Sequence, residues 1–138
     1  MKQKFLSACF LLMAVCLVAP VQTVQANKKI KQHLTGIWQA TRNGQRALFF
    51  KILNADGTFC NFGPVKQDGT FGYSQKGTFK ITSDSTYTEA IEESPYSIYI
   101  DHKSTLKFHL SENGKELQIE WFSPETKKWT PETWIKVE

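Results

Sequence analysis

Hydrophobic and polar residues alternate along most of the chain, in short runs that turn residues separate at close intervals. Alternation with a period of two is typical of strands with one buried face, and no long stretch has the spacing of an amphipathic helix. The pattern predicts about eight to ten strands, over 36–42, 46–53, 58–63, 70–74, 76–82, 86–93, 96–101, 104–111, 116–123 and 130–137. It allows one short helix, around 28–34.

Asn113-Gly114 is the clearest turn in the sequence, because this pair favours a two-residue type I′ hairpin. That turn pairs the flanking strands so that one face is apolar and the other is polar, which supports the register. The apolar face then consists of Leu106, Phe108, Leu110, Leu117, Ile119 and Trp121.

A second hairpin turns at Gly57, where a three-residue loop over 55–57 sets Phe50 opposite Phe62. A two-residue loop would give a poorer pairing, with Lys51 opposite an aromatic residue. On the preferred register we expect the apolar side chains to face inward, Cys60 included, and Lys51 to face outward.

A third hairpin turns near residues 83–85, and its register stays open. A three-residue loop sets Ile81 opposite Tyr87 and Phe79 opposite Glu89, so that Glu89 points inward. A two-residue loop sends Tyr87 and Glu89 outward, and an exposed Glu89 beside Lys80 is the simpler expectation.

Successive hairpins without a helical crossover predict that neighbouring strands pair in chain order. Such a meander leaves two exposed edges unless it closes, and closure into an up-and-down barrel removes both. We therefore expect an all-β antiparallel barrel of eight to ten strands. An immunoglobulin-like sandwich is the rival, but its Greek-key connections are longer than these hairpins.

Residues 1–26 have the three zones of a cleavable secretory signal: a positive start, an apolar run over 5–19 and small residues before a cut at Ala26. The apolar run is shorter than the roughly 20 residues of a spanning helix. A lipoprotein signal at Cys16 would need a small residue where Val15 stands. We expect cleavage after Ala26 and a periplasmic or secreted location.

Cleavage changes the charge and the cysteine content of the remaining domain, residues 27–138. Two of the 17 Lys and Arg residues fall in the signal, so 15 remain against 13 acidic residues and the net charge falls from +4 to +2. This weak charge argues against a nucleic-acid partner. Cys60 is then the one cysteine left of three, so no intrachain disulfide can form. The 112 residues support one hydrophobic core.

Three short motifs carry a family resemblance: Gly36-Ile37-Trp38, Thr86-Tyr87-Thr88-Glu89 and Trp134-Ile135-Lys136. Together they resemble the lipocalin-like (calycin-type) β-barrel family, and in particular small exported bacterial lipocalin-like domains of unknown function. The resemblance implies that Lys136 covers Trp38 at the closed end of the barrel, where lipocalins use Arg. It also implies a tendency to bind small apolar molecules.

An eight-stranded barrel either holds one small ligand or fills with its own side chains, and the sequence leaves both open. An inward Glu89 would need a partner, because an unpaired buried carboxylate is costly; its candidate partners are Arg42, Arg46, Tyr87 and Tyr99. The predicted ligand-binding set is Phe50, Phe62, Phe79, Tyr87, Glu89, Phe108 and Trp121, and Ile52 and Ile119 are also expected to face inward.

These features favour an exported protein that binds a small apolar or amphipathic ligand. The alternative is a filled barrel that acts as a protein-interaction or inhibitor module of the cell envelope, with an aromatic patch near Trp129. The three histidines lack metal-ligand spacing and no nucleophile motif is present, so we expect no metal, cofactor or enzyme activity. An isomerase or hydrolase that uses Glu89 is the enzymatic alternative.

Overall fold

A computed structural model describes residues 19–64 and 69–138. Most of the predicted signal, residues 1–18, therefore lies outside the described residues. The elements are α1 Ala19–Leu34, β1 Gly36–Arg42, β2 Gln45–Leu53, β3 Thr58–Pro64, β4 Phe71–Ile81, β5 Thr86–Glu93, a 3₁₀ turn Ser97–Tyr99, β6 Lys103–Leu110, β7 Glu116–Ser123 and β8 Lys128–Lys136. No helix in this part of the chain combines the length and the apolar character of a membrane span.

The eight strands form one closed antiparallel barrel in chain order, which confirms the predicted up-and-down meander. β1 closes the barrel by pairing with β8, from Trp38 opposite Lys136 to Thr41 opposite Thr133. Two predicted strands, 70–74 and 76–82, are parts of one continuous β4. The strand predicted over 96–101 is wrong, because that segment holds the 3₁₀ turn instead.

The registers of the first two hairpins agree with the prediction, and the third hairpin adopts one of its two alternatives, not the simpler one with an exposed Glu89. The Asn113-Gly114 hairpin pairs Phe108 with Ile119, which is the predicted register. The predicted type I′ turn is wrong, because it requires positive φ at both central residues and only Gly114 has it, while the Gly114 N–H donates to the Ser111 carbonyl oxygen in a longer loop. The Gly57 hairpin pairs Phe50 with Phe62. In the third hairpin, Phe79 lies opposite Glu89, so the register of the three-residue loop is the one adopted and Glu89 points inward.

The inward face of the second hairpin was predicted wrongly. Lys51 and Asn61 are buried inside the barrel, whereas Phe50 and Phe62 lie on its outer face, where both contact the ring of Phe71 at centroid distances of 6.2 and 5.6 Å. Ile52 and Cys60 share that outer face by strand alternation. β2 and β3 are apolar on both faces, so their pattern fixes the pairing but not the side that faces inward.

Two glycines permit close approaches that the barrel needs. A Cβ at Gly77 would overlap the Ala90 carbonyl oxygen, at the irregularity in the ladder between β4 and β5. A Cβ at Gly63 would overlap the ring of Phe49. Gly77 therefore leaves no room for a side chain, whereas a side chain at Gly63 would require the Phe49 ring to move.

The C-terminal end of α1 covers the closed end of the barrel. Leu34 is fully buried there, and the Trp38 indole donates a hydrogen bond from Nε1 to the Leu34 carbonyl oxygen at 2.8 Å. Lys136 Nζ lies 5.1 Å from the centroid of the Trp38 ring and donates to the His33 carbonyl oxygen at 3.1 Å. Lys136 therefore covers the Trp38 ring at the closed end of the barrel.

The half of the barrel next to this closed end is filled with apolar side chains. Phe79 and Phe108 both pack their rings against Tyr87, at centroid distances of 6.2 and 5.8 Å. Other buried members of this core are Trp38, Leu53, Phe59, Leu117 and Ile119. The half next to the loops after β1, β3, β5 and β7, which we call the open end, is built differently.

Candidate ligand-binding site

Polar side chains replace apolar ones midway along the barrel interior. Lys51 lies one inward position beyond Leu53, Asn61 one beyond Phe59, and Glu89 one beyond Tyr87, all toward the open end. Strand residues two apart point to the same face, Lys51 lies opposite Asn61 in the ladder and Lys51 contacts Glu89, so these side chains share one level of the barrel. Glu132 of β8 lies one inward position beyond Trp134 at the same level. We call Lys51, Asn61, Glu89 and Glu132 the polar layer.

Lys51 and Glu89 form a buried ion pair across the barrel. Lys51 Nζ lies 2.6 Å from Glu89 Oε1, and the two side chains are 3% and 4% exposed. The strands that carry them, β2 and β5, are not neighbours in the sheet. The ammonium group also lies 5.4 Å from the centroid of Phe59 and 5.8 Å from that of Trp134. Attraction to both rings adds to that of the carboxylate.

Glu132 is held by two indole groups instead of a cation. Trp121 Nε1 donates to Glu132 Oε1 at 2.9 Å, and Trp134 Nε1 donates to Glu132 Oε2 at 3.0 Å. Burial raises the pKa of the Glu132 carboxyl. The charge of Lys51 and the two indole hydrogen bonds oppose that rise, and the negative charge of Glu89 adds to it.

Two buried polar atoms near this layer have no hydrogen-bond partner among the described residues: Asn61 Oδ1 and Tyr87 Oη. Asn61 uses its other amide atom, Nδ2, to donate to Gln75 Oε1 at 3.1 Å. Burial raises the pKa of Tyr87 well above its usual value, and the charges of Glu89 and Glu132 add to this effect. The layer thus presents an unpaired carbonyl oxygen beside two carboxylates.

A cavity of about 710 Å³ lies between the polar layer and the open end. All four residues of the polar layer line it. Its walls are largely aromatic, with Phe49, Trp121 and Trp134 inside and Tyr96, Tyr99, Phe122 and Trp129 at the rim. An apolar wall with a few convergent polar groups is the usual composition of a small-molecule site, and the volume falls in the usual range of roughly 300–1,000 Å³.

The cavity also opens sideways between β6 and β7. Their ladder ends at the pair Leu106 and Trp121, although both strands continue toward the open end. Outward residues such as Thr105 and Phe122 therefore reach the cavity edge. A second cavity of about 700 Å³ lies beside β1 and shares Phe49, Glu132 and Trp134 with the first.

The family of the chain can be read from its sequence over the same region. The family model described as "Domain of unknown function (DUF4488)" matches residues 33–138. The chain belongs to this family. The match covers all eight strands, and so the whole polar layer. A search of curated proteins found no match to the chain.

The DUF4488 barrel brings together only part of the predicted ligand-binding set. Glu89 and Trp121 line the main cavity. Phe79, Tyr87 and Phe108 lie in the filled core near the closed end instead. Phe50 and Phe62 lie outside the barrel, so their predicted inward orientation is wrong, as described above. Of the four partners considered for Glu89, none forms its ion pair, which Lys51 supplies.

Four residues of the DUF4488 site were not predicted from the sequence: Lys51, Asn61, Glu132 and Trp134. Lys51 stands within the apolar run 47–53, where a lone charge on a strand predicts an outward side chain. Glu132 precedes Trp134 by two residues, so the two share a face by strand alternation, which was the signal available. Within residues 19–64 and 69–138, no group of three or more His, Cys, Asp or Glu side chains is arranged to hold a metal ion.

Proposed function

We propose that this DUF4488 chain is an exported lipocalin-like protein that binds a small amphipathic molecule in the open half of its barrel. The observation that carries the proposal is the polar layer at the inner end of an aromatic-walled cavity. A barrel that needed only to fold would continue its apolar core to the open end.

The energetic cost of the polar layer supports this interpretation. Burying a charged pair costs about as much as its attraction returns, and apolar residues of similar volume often give equal or greater stability. Stability alone therefore gives little reason for charged side chains at positions 51 and 89. Charged and polar groups at the inner end of an apolar cavity do have a use, since they fix the head of a bound molecule.

Residues 1–26 support the exported part of the proposal through their signal-like pattern. The aromatic walls support the apolar part, because Trp and Phe rings bury a large area against a ligand body. The gap between β6 and β7 gives such a molecule an entrance beside the open end.

A pair of variants on β6 tests the proposal. Ser104 points inward and lines the cavity, whereas His109 is exposed on the outer face of the same strand. Ser104→Trp should occupy the cavity, and His109→Trp adds the same side chain outside. We expect Ser104→Trp to lower the affinity for the neutral dye Nile red at least about tenfold, and His109→Trp to leave it within about twofold. Fluorescence titration measures both.

Native mass spectrometry of the protein purified from its own cells provides an independent test. Wild-type protein should carry a bound small molecule that Ser104→Trp lacks. Equal dye affinity in all three proteins, together with the absence of any bound molecule, would contradict the proposal.

The second candidate function is a protein-interaction or inhibitor module of the cell envelope. Phe122 and Trp129 favour it, since both are more than two-fifths exposed and their rings pack at a centroid distance of 5.8 Å on the outer face. Lys107 Nζ lies 4.2 Å from the Trp129 centroid and completes this small surface. If capture of a partner from envelope extract is unaffected by Trp129→Ala, this candidate fails.

The enzymatic alternative is an isomerase or hydrolase that uses Glu89. It requires Glu89 to point inward, and that side chain is buried in the barrel. Glu89 Oε1 is engaged by Lys51, so a role as a base would fall to the other oxygen. Turnover of a substrate that Glu89→Gln abolishes without loss of binding would favour this alternative over simple binding.

A further inference from the structure

The acceptors of the polar layer outnumber its donors. Lys51 supplies the one ammonium group of the layer, and Glu89 accepts from it at 2.6 Å. Glu132 has no Lys, Arg or His within ion-pair distance in the part of the chain that the structure describes. The layer therefore combines two carboxylates with one cation.

The two indole groups position the Glu132 carboxylate without neutralising it. Each Glu132 oxygen accepts one N–H, from Trp121 or from Trp134, and keeps further acceptor capacity, since a carboxylate offers about four lone-pair sites. Both indole donors are neutral, so the excess negative charge remains at the cavity wall. A buried carboxylate without a cationic partner is energetically costly, and pairing with a positively charged group would offset that cost.

A second observation points the same way. Asn61 is 9% exposed and lines the cavity, and its Oδ1 atom has no hydrogen-bond partner among the described residues. An unpaired carbonyl oxygen accepts a hydrogen bond and cannot donate one. The free capacity of the layer is thus for donors, at both Glu132 and Asn61.

The aromatic walls suit a cation as well. Trp121, Trp134 and Phe49 line the cavity beside Glu132, and Lys51 Nζ already lies over the Trp134 ring. Ring faces attract cations, most strongly in desolvated sites, and aromatic residues around a carboxylate are a recurrent arrangement for organic ammonium groups.

We infer that the ligand of this barrel carries a protonated amine, which pairs with Glu132 and donates to Asn61, on an apolar body that occupies the aromatic-walled cavity. The inference rests on the proposed function and names the head group of its ligand. Lys103, Lys127 and His102 also line the cavity, but all three are exposed at the rim. Water and salt screen their attraction for an anion.

Three ligands with one apolar chain and different heads test the inference on the full chain: decylammonium, decanol and decanoate. Each is titrated against bound Nile red at neutral pH, below its micelle concentration. We expect decylammonium to displace the dye at about tenfold lower concentration than decanol, the factor that one charge-assisted hydrogen bond supplies. Decanoate should be the weakest competitor.

Glu132→Gln keeps the shape of the side chain and removes its charge. In this variant the advantage of decylammonium over decanol should disappear, while decanol displaces the dye as in the wild type. Glu120→Gln is the matched control, because Glu120 is exposed on the outer face of β7, and it should keep the advantage. If Glu132→Gln does not fold, the ranking of the three ligands on the wild type decides alone.

The outcomes separate the inference from the proposed function. Equal displacement by all three ligands, or strongest displacement by decanoate, overturns the amine head group and leaves ligand binding in place. Failure of Nile red and of all three ligands to bind overturns both.

Discussion

Lys51 and Glu89, 38 residues apart in sequence, meet inside the barrel with Lys51 Nζ 2.6 Å from Glu89 Oε1. They belong to strands on different parts of the barrel wall, so the ion pair spans the interior and separates a filled half from an open half. This single contact places a charged boundary where a simple folding core would have apolar side chains.

The Lys51–Glu89 pair predicts strong energetic coupling. Lys51→Met or Glu89→Met alone leaves a buried charge unpaired and should lower the free energy of unfolding by about 3–5 kcal/mol. The double variant, which removes both charges, should lose much less than the sum of the two. Urea unfolding of the four proteins gives the coupling free energy.

The exposed pair Lys107 and Glu120 serves as the control for this cycle. Its atoms lie 3.4 Å apart and both side chains are about half exposed, so its coupling should be below about 1 kcal/mol. If the Lys51 and Glu89 substitutions are simply additive, the pair does not act as a buried ion pair.

Glu132 predicts a pH dependence of stability. Burial raises its pKa above the usual value of 4.5, so the folded state binds this proton more tightly than the unfolded state. The stability that the proton contributes is present below pH 4.5 and is lost as the pH rises through the pKa of the folded state. Glu132→Gln lacks this titration. Its stability relative to the wild type should therefore rise from about pH 4 upward and then level off.

Urea unfolding of Glu132→Gln and the wild type at a series of pH values checks this trend. Using the difference between the two proteins cancels the titration of every group that they share. A difference that stays constant or falls with increasing pH would mean that Glu132 is not desolvated in the folded barrel.

Replacing Gly77 or Gly63 by Ala should lower the free energy of unfolding by different amounts. An added Cβ at Gly77 meets the Ala90 backbone carbonyl, which the sheet holds in place, so Gly77→Ala should cost more than about 3 kcal/mol. At Gly63 it meets the Phe49 ring, which can swing toward the cavity, so Gly63→Ala should cost about 1–3 kcal/mol. Thermal and urea unfolding rank the two, and a reversed order would contradict the packing described for both strands.

Lys136 predicts a modest contribution at the closed end. Lys136→Met removes the ammonium from the Trp38 face and from the His33 carbonyl, and should cost about 1–2 kcal/mol. Lys136→Arg keeps a cation there and should cost less than about 0.5 kcal/mol. Lys115→Met, at an exposed lysine paired with Glu138, is the control with little expected effect. Equal stabilities for Lys136→Met and the wild type would show that this contact contributes nothing.

More of the fold than of the candidate site could be predicted from the sequence. The pairing of two hairpins could be predicted, because Asn113-Gly114 and Gly57 leave few loop geometries, whereas the loop over 83–85 allowed two registers. The pairing did not fix the inward face of β2 and β3, since Phe50 and Phe62 are as apolar as Leu53 and Phe59. On the outer face of β2 and β3, the ring of Phe71 packs against both Phe50 and Phe62.

The polar layer could not be predicted because its contacts join distant strands. A lone Lys51 in an apolar run is expected on the surface, and only the closed barrel brings Glu89 within reach of it. Glu132 could have been assigned inward from its spacing to Trp134, but its contact with Trp121 depends on the pairing of β7 with β8, which the sequence did not supply. Local sequence patterns thus predict strands and turns, whereas the contacts between side chains inside the barrel depend on how the sheet closes.

The most direct test of ligand binding uses the four tryptophans as local reporters. Trp121 and Trp134 donate their indole N–H groups to Glu132 at the cavity wall, Trp38 donates to Leu34 at the closed end, and Trp129 is exposed at the cavity rim. Their indole N–H signals in a ¹H–¹⁵N correlation spectrum, assigned by single Trp→Phe variants, can be followed while decanol or decylammonium is added.

Binding in the open half of the barrel predicts that the Trp121 and Trp134 signals shift with saturation, while the Trp38 signal stays in place. Spectra in which no indole signal moves, or in which only Trp38 or Trp129 responds, would contradict a ligand site in this cavity.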